Sequence, residues 1–161
     1  MILRLICLVT LLITGWGEKN VNHKKMEPVD FYIKITRKVF GRPATITIVQ
    51  SDRLEVQLFT PRAITPGEVK ERRLTPEETQ AMSEFMKTFP LEDLKEHYIY
   101  GGVKDGTELH FLIRVDQFEK NIFIGNYYQD DLGILVQEIV KLFSRDYIGY
   151  YRENVPFPEK N

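Results

Sequence analysis

Four polar residues at even spacing, Glu108, His110, Arg114 and Asp116, are the densest set of chemically capable side chains in this chain. On a strand, alternate residues share a face, so Glu108 and His110 would stand together with Arg114 and Asp116 farther along. An imidazole beside carboxylates can serve a metal site or a general acid–base pair. The metal reading needs more ligands than the sequence offers. Only His23, His97 and His110 are present, no two at ligand spacing, and the single cysteine is Cys7. Zinc sites ordinarily take three or four Cys, His or acidic ligands. The same four residues also describe an ordinary solvated strand face.

Other chemistries find less support. There is no Gly-x-Ser-x-Gly nucleophile elbow, and Ser51, Ser83 and Ser144 have no His nearby in sequence. The acidic pairs Glu77-Glu78, Glu92-Asp93 and Asp130-Asp131 fall near expected helix ends, where capping accounts for them. "GGVKDG" (101–106) leads into a strand rather than a helix N-terminus, so it lacks the geometry of a phosphate cradle. Lys104-Asp105-Gly106 reads as turn chemistry. No catalytic, cofactor or metal residue is assigned, and no cofactor is expected.

A second group, Tyr32, Lys34, Lys38, Arg42 and Arg53, would form a small basic patch with one aromatic on an open sheet face. Such a patch suits a protein or glycan partner. Nucleic acid is disfavoured by a pI near 6.3. The formal charge of −1 conceals an asymmetry: residues 18–74 carry 12 Lys and Arg against 7 Asp and Glu, and residues 75–161 carry 9 against 16.

The elements that would position these groups follow from periodicity. "MILRLICLVTLLITGWG" has the order of a secretory signal: a cation at Arg4, an apolar run from Leu5 to Ile13, then small residues. Cleavage is expected near Gly17, giving an exported, periplasmic or extracellular chain without a stable transmembrane span. The run falls short of the ~20 apolar residues that cross a bilayer. Removing it also removes Cys7, so the mature domain would rely on its core rather than on disulfides. Residues 18–30 read as a tether, 31–155 as one domain and 156–161 as a frayed tail.

Period-two alternation marks strands with Phe31, Ile33 and Ile35 inward, then Ala44, Ile46 and Ile48, then Leu54, Val56 and Leu58. "EVKERRL" is a polar edge strand. Thr75, Pro76 and Glu78 open a capped helix with Ala81, Met82, Phe85, Met86 and Phe89 on one face. Leu109, Phe111, Ile113 and Val115 form a further strand, and Ile122 and Ile124 another after a turn near Glu119. A second helix follows Asp130-Asp131, burying Leu135, Val136, Ile139, Val140, Leu142 and Phe143. The tyrosine-rich tail is expected to pack back. The predicted fold is α+β: one antiparallel sheet of about five to six strands with two α-helices on one face.

At "ITRKVFGRPATITI" and "RRLTPEE" the chain resembles the emfourin-like family of small bacterial proteins. The likeness covers about residues 33–90, with one glycine in the turn where two are expected. Some members inhibit thermolysin-like metalloproteases, so the resemblance implies protease inhibition; no inhibitory residue carries across. The lack of a catalytic constellation, the signal segment and a sheet with one open face give the expected function: a non-catalytic protein-binding module of the bacterial envelope or exterior, with protease inhibition implied by the resemblance alone. Its partner would be another protein or envelope component. The alternative is a small hydrolase or metal-binding protein using the face around His110.

Overall fold

The computed structural model describes residues 28–60, 65–101 and 107–151. The segment expected to be a signal, most of the expected tether, the turn expected at Lys104-Asp105-Gly106 and the expected frayed tail lie outside the described residues. The fold is α+β. Its strands are β1 (Phe31–Val39), β2 (Arg42–Gln50), β3 (Arg53–Leu58), β4 (Glu68–Arg73), β5 (His97–Ile99), β6 (Thr107–Val115) and β7 (Phe118–Gly125). Its helices are α1 (Pro76–Thr88) and α2 (Asp130–Val140), with a short 3-10 turn at Leu91–Asp93.

All seven strands form one sheet in the order β4-β3-β2-β1-β6-β7-β5. This differs from the expected count and from the expected all-antiparallel pairing, because β5 runs parallel to β7. Three residues, His97 to Ile99, are too few to show alternation, so this edge strand carried no periodic signal. α1 connects β4 at one edge to β5 at the other. α1, α2 and the sheet meet in one core containing Phe31, Ile33, Ile35, Phe111, Met82, Met86, Leu132, Leu135 and Ile139.

The strand of greatest consequence is β2. Its inner face is Thr47 and Val49, not Ala44, Ile46 and Ile48. A tight turn at Phe40 and Gly41 pairs Lys38 with Pro43, but Arg37 then pairs with Thr45, leaving Ala44 without a partner. This bulge advances the register by one residue, and with a side-chain period of two every later residue changes face. Without it, Ile35 and Ile33 would lie opposite Ile46 and Ile48. With it they lie opposite Thr47 and Val49. Thr47 is 1% exposed and its hydroxyl has no hydrogen-bond partner among the described residues. Thr47→Val should therefore raise stability by about 1 kcal/mol, since the hydroxyl is desolvated for no return. Ile46→Thr, on the open face, should change it little. Urea midpoints that rank the two the other way would place the isoleucines inward.

α1 forms as its residues dictate. The Thr75 hydroxyl accepts from the Glu78 amide at 3.2 Å, and the Glu78 carboxylate accepts from the Thr75 amide at 2.9 Å. Met82 and Met86 are buried and Phe85 and Phe89 half-buried, but Ala81 is exposed and not part of this face. Arg72 of β4 donates to both Glu78 carboxylate oxygens, at 2.7 and 2.8 Å, and to the Leu142 carbonyl at 2.6 Å. It thereby ties the sheet edge to α1 and to the segment that follows α2. The Arg72 guanidinium, with the Thr75 amide, holds the Glu78 carboxyl below the usual range. A lowered folded pKa gives stability that is present above the unfolded value of about 4.3 and lost as pH falls through the folded value. Arg72→Met should cost about 1 kcal/mol at neutral pH, kept small because both side chains are partly exposed. That cost should shrink below about pH 4.3; an equal cost at neutral and acid pH in urea titrations would contradict the linkage.

The β6–β7 turn sits at Asp116 and Gln117, with Val115 opposite Phe118, so Glu119 lies within β7 rather than in the turn. Asp116 has a positive φ of 53°, a conformation that Asp tolerates better than most residues. α2 begins at Asp130 with Gln129 as its cap, accepting from the Leu132 amide at 2.6 Å. It ends at Val140, so Leu142 and Phe143 pack on the core from beyond the helix. The returning tail inserts Ile148 and Tyr150 into the core.

Candidate interaction surface

Most members of both candidate groups lie on the sheet face opposite the helices, and the register defines its rows. One row crosses the sheet through Val69, Gln57, Ile46, Thr36, His110, Phe123 and His97. It contains no carboxylate, lysine or arginine. The adjacent row is Glu71, Glu55, Ile48, Lys34, Leu112 and Asn121. Ile46, Ile48, Leu112 and Phe123 are only half-buried, and Val69 is exposed. The β2 bulge thus moved two isoleucines from the core to this face. Sequence reasoning missed them because β2 alternates Thr and Val against Ala and Ile, and both phases look plausible. Phe123 followed Ile122 and Ile124 in the sequence, and its alternation already set it outward.

The predicted basic patch is partly dissolved by geometry. Arg53 is committed to Glu55 at 2.6 Å and to Glu71 at 2.8 Å, and Gln57 donates to the other Glu55 oxygen at 2.6 Å. Tyr32 lies under the Arg114 guanidinium, 5.7 Å from the ring centre. Lys34 and Lys38 do stand on the open face. Arg42 does not: it is opposite Val39, and so points to the other side of the sheet at its tip. The five residues therefore do not form one patch.

The polar cluster also separates. The Glu108 carboxylate is 3.7 Å from His110 Nε2, beyond hydrogen-bond length, and that shielded nitrogen has no hydrogen-bond partner among the described residues. The His110 ring meets Phe123 edge-on, 4.8 Å between centres. Burial and the Lys38 ammonium depress the His110 pKa, with Glu108 opposing. Arg114 is paired instead with Glu119 at 2.8 Å. Asp116 is in the turn, where it accepts from the Asp30 amide at 3.1 Å. Among the described residues, no group of three or more His, Cys, Asp or Glu side chains converges as a metal ion would require.

Three clefts are lined by described residues, and their linings do not include His110. One lies under the β4 edge, with Leu54, Val56 and Phe143 below Lys70 and Tyr147. A second runs between Pro28 and α1, and a third between the end of α1 and Phe118. The open face thus presents an uncharged row in which Val69, Ile46 and Phe123 alternate with Gln57, Thr36, His110 and His97, with the Arg53–Glu55 and Arg114–Glu119 pairs beside it. Among the described residues, no helix is long and apolar enough to cross a membrane. No family model, no curated protein and no solved structure matches this chain.

Proposed function

We propose that the chain is an exported, non-catalytic protein-binding module whose open sheet face covers a partner protein. The observation that carries this reading is the row from Val69 to His97. It crosses seven strands without a carboxylate, lysine or arginine on the side that the helices leave uncovered. Interface centres are depleted of charge and rimmed by polar groups. The pairs Arg53–Glu55 and Arg114–Glu119 beside the row supply such a rim with its charges already compensated. Export rests on the order of residues in the first 17 positions.

The hydrolase or metal-binding alternative needs Glu108, His110, Arg114 and Asp116 to act together. The separation of Asp116 and the pairing of Arg114 leave it only the Glu108–His110 pair. Protease inhibition rests on the family resemblance and on no residue described above. The test is capture: the full chain immobilised and exposed to envelope extract, beside Ile48→Lys and Phe123→Lys variants. A protein retained by the parent and released by both folded variants is the expected result. Retention that ignores both substitutions, or no retention, would remove the open face from the reading.

A further inference from the structure

Phe40 is the most exposed large apolar residue described, at 74%. It is also strained. Phe40 and Gly41 are the two central residues of the β1–β2 hairpin, with φ of 51° and 72°. A two-residue turn with both φ positive favours Asn-Gly or Asp-Gly, and a bulky residue in the left-handed region is an outlier. Gly41 fits this rule, and a Cβ there would meet no neighbouring atom, so only its φ asks for glycine. Phe40 does not fit. Its ring contacts no other aromatic ring among the described residues and it belongs to no part of the core. Backbone outliers of this kind cluster at sites of function.

Two cations straddle it. Lys38 stands on the open face opposite Pro43, and Arg42 on the other face opposite Val39. Among the described residues neither enters an ion pair, although Arg53, Arg72 and Arg114 all do. The tip therefore offers an aromatic ring between two cations, Arg42 without an ion pair among the described residues and Lys38 opposite Glu108 on β6.

We propose that the Phe40 tip is the anchor of the interface, inserting into an apolar pocket on a partner protein whose rim carries carboxylates that meet Lys38 and Arg42. Buried aromatic anchors surrounded by weaker contacts are the usual energetic centre of an interface, and complementary charge at the rim sets orientation and rate. Lys38 is continuous with Lys34 and the uncharged row, so the anchor extends the open face rather than forming a separate site. A lipid surface fits less well. Anionic bilayers select by summed positive charge, whereas the chain carries −1 overall and is acidic in its second half.

This inference rests on the open-face reading, and one set of measurements separates the two. The protein captured from envelope extract by the full chain is identified, purified and titrated against the parent, Phe40→Asn, Lys38→Ala/Arg42→Ala and Ile48→Lys. Asn suits the turn, so Phe40→Asn should raise the thermal midpoint while weakening binding by about 30-fold. The double alanine variant should weaken binding less and flatten its salt dependence. Weaker binding by Ile48→Lys with unchanged binding by Phe40→Asn would overturn the anchor and leave the open face standing. A lower midpoint for Phe40→Asn would show that the ring is structural, and would also overturn it. Binding of the parent to vesicles with 30% phosphatidylglycerol, lost in Phe40→Asn, would assign the tip to lipid instead. Capture of no protein overturns both readings.

Discussion

Tyr150→Ala should cost about 3–5 kcal/mol of folding stability, the range for truncating a large buried aromatic. Tyr150 is 4% exposed although it lies beyond the last helix. Its ring stacks on Tyr128 at 4.8 Å and meets Phe111 edge-on at 6.2 Å. Its hydroxyl accepts from the Gln129 amide at 2.7 Å and donates to the Tyr127 carbonyl at 3.3 Å, fixing the segment that leads into α2. Burial drives the phenol pKa upward, so the hydroxyl keeps its proton and can donate. Tyr150→Phe keeps the ring but strands those two backbone groups, and should cost about 1–2 kcal/mol. Denaturant titrations of the two variants separate packing from hydrogen bonding. A loss under about 1 kcal/mol for Tyr150→Ala would mean that the tail is not part of the core.

Gly133→Ala is the second large effect, and its sign runs against helix propensity. In an open helix position this change gains up to about 1 kcal/mol. In α2 the added methyl would stand 1.9 Å from the Tyr128 hydroxyl oxygen and 2.4 Å from the ring carbon bearing it. Tyr128 cannot easily move aside, because it is stacked on Tyr150. The variant should lose about 1–3 kcal/mol, as overpacked cores do. Tyr128→Ala is itself destabilising, yet combined with Gly133→Ala it should cost less than the two changes added. That positive coupling is the check; simple additivity would mean the methyl finds room without Tyr128.

Elements whose residues repeat a local rule were legible in the sequence. β1 and β6 alternate cleanly, α1 begins at the Thr75 capping box, and the tyrosine-rich tail does return to the core. What could not be read depends on single residues or on partners distant in the chain. One unpaired residue, Ala44, reversed the faces of β2. β5 has three residues and a parallel partner, neither of which leaves a pattern. The four polar residues near His110 shared parity in sequence, but the turn took Asp116 and Glu119 took Arg114. Of the basic group, Lys34 and Lys38 lie where expected, Arg53 is consumed by two carboxylates, and Arg42 faces the other way. Ile46, Ile48 and the strained Phe40 become visible only once the hairpin register is known.

The position of β1 has a consequence for how the chain is made. It is the first strand among the described residues, yet it lies inside the sheet, between β2 and β6. A chain emerging from its N-terminus can complete β1 to β4 as successive hairpins while one side of β1 stays bare until residues 107–115 arrive. During that interval a nascent sheet presents Phe31, Ile33 and Ile35 along an open edge, the arrangement most prone to pairing with a second molecule. Newly made chains should therefore be most vulnerable to aggregation in fragments that stop after α1, and a holding chaperone would have its natural target at that strand.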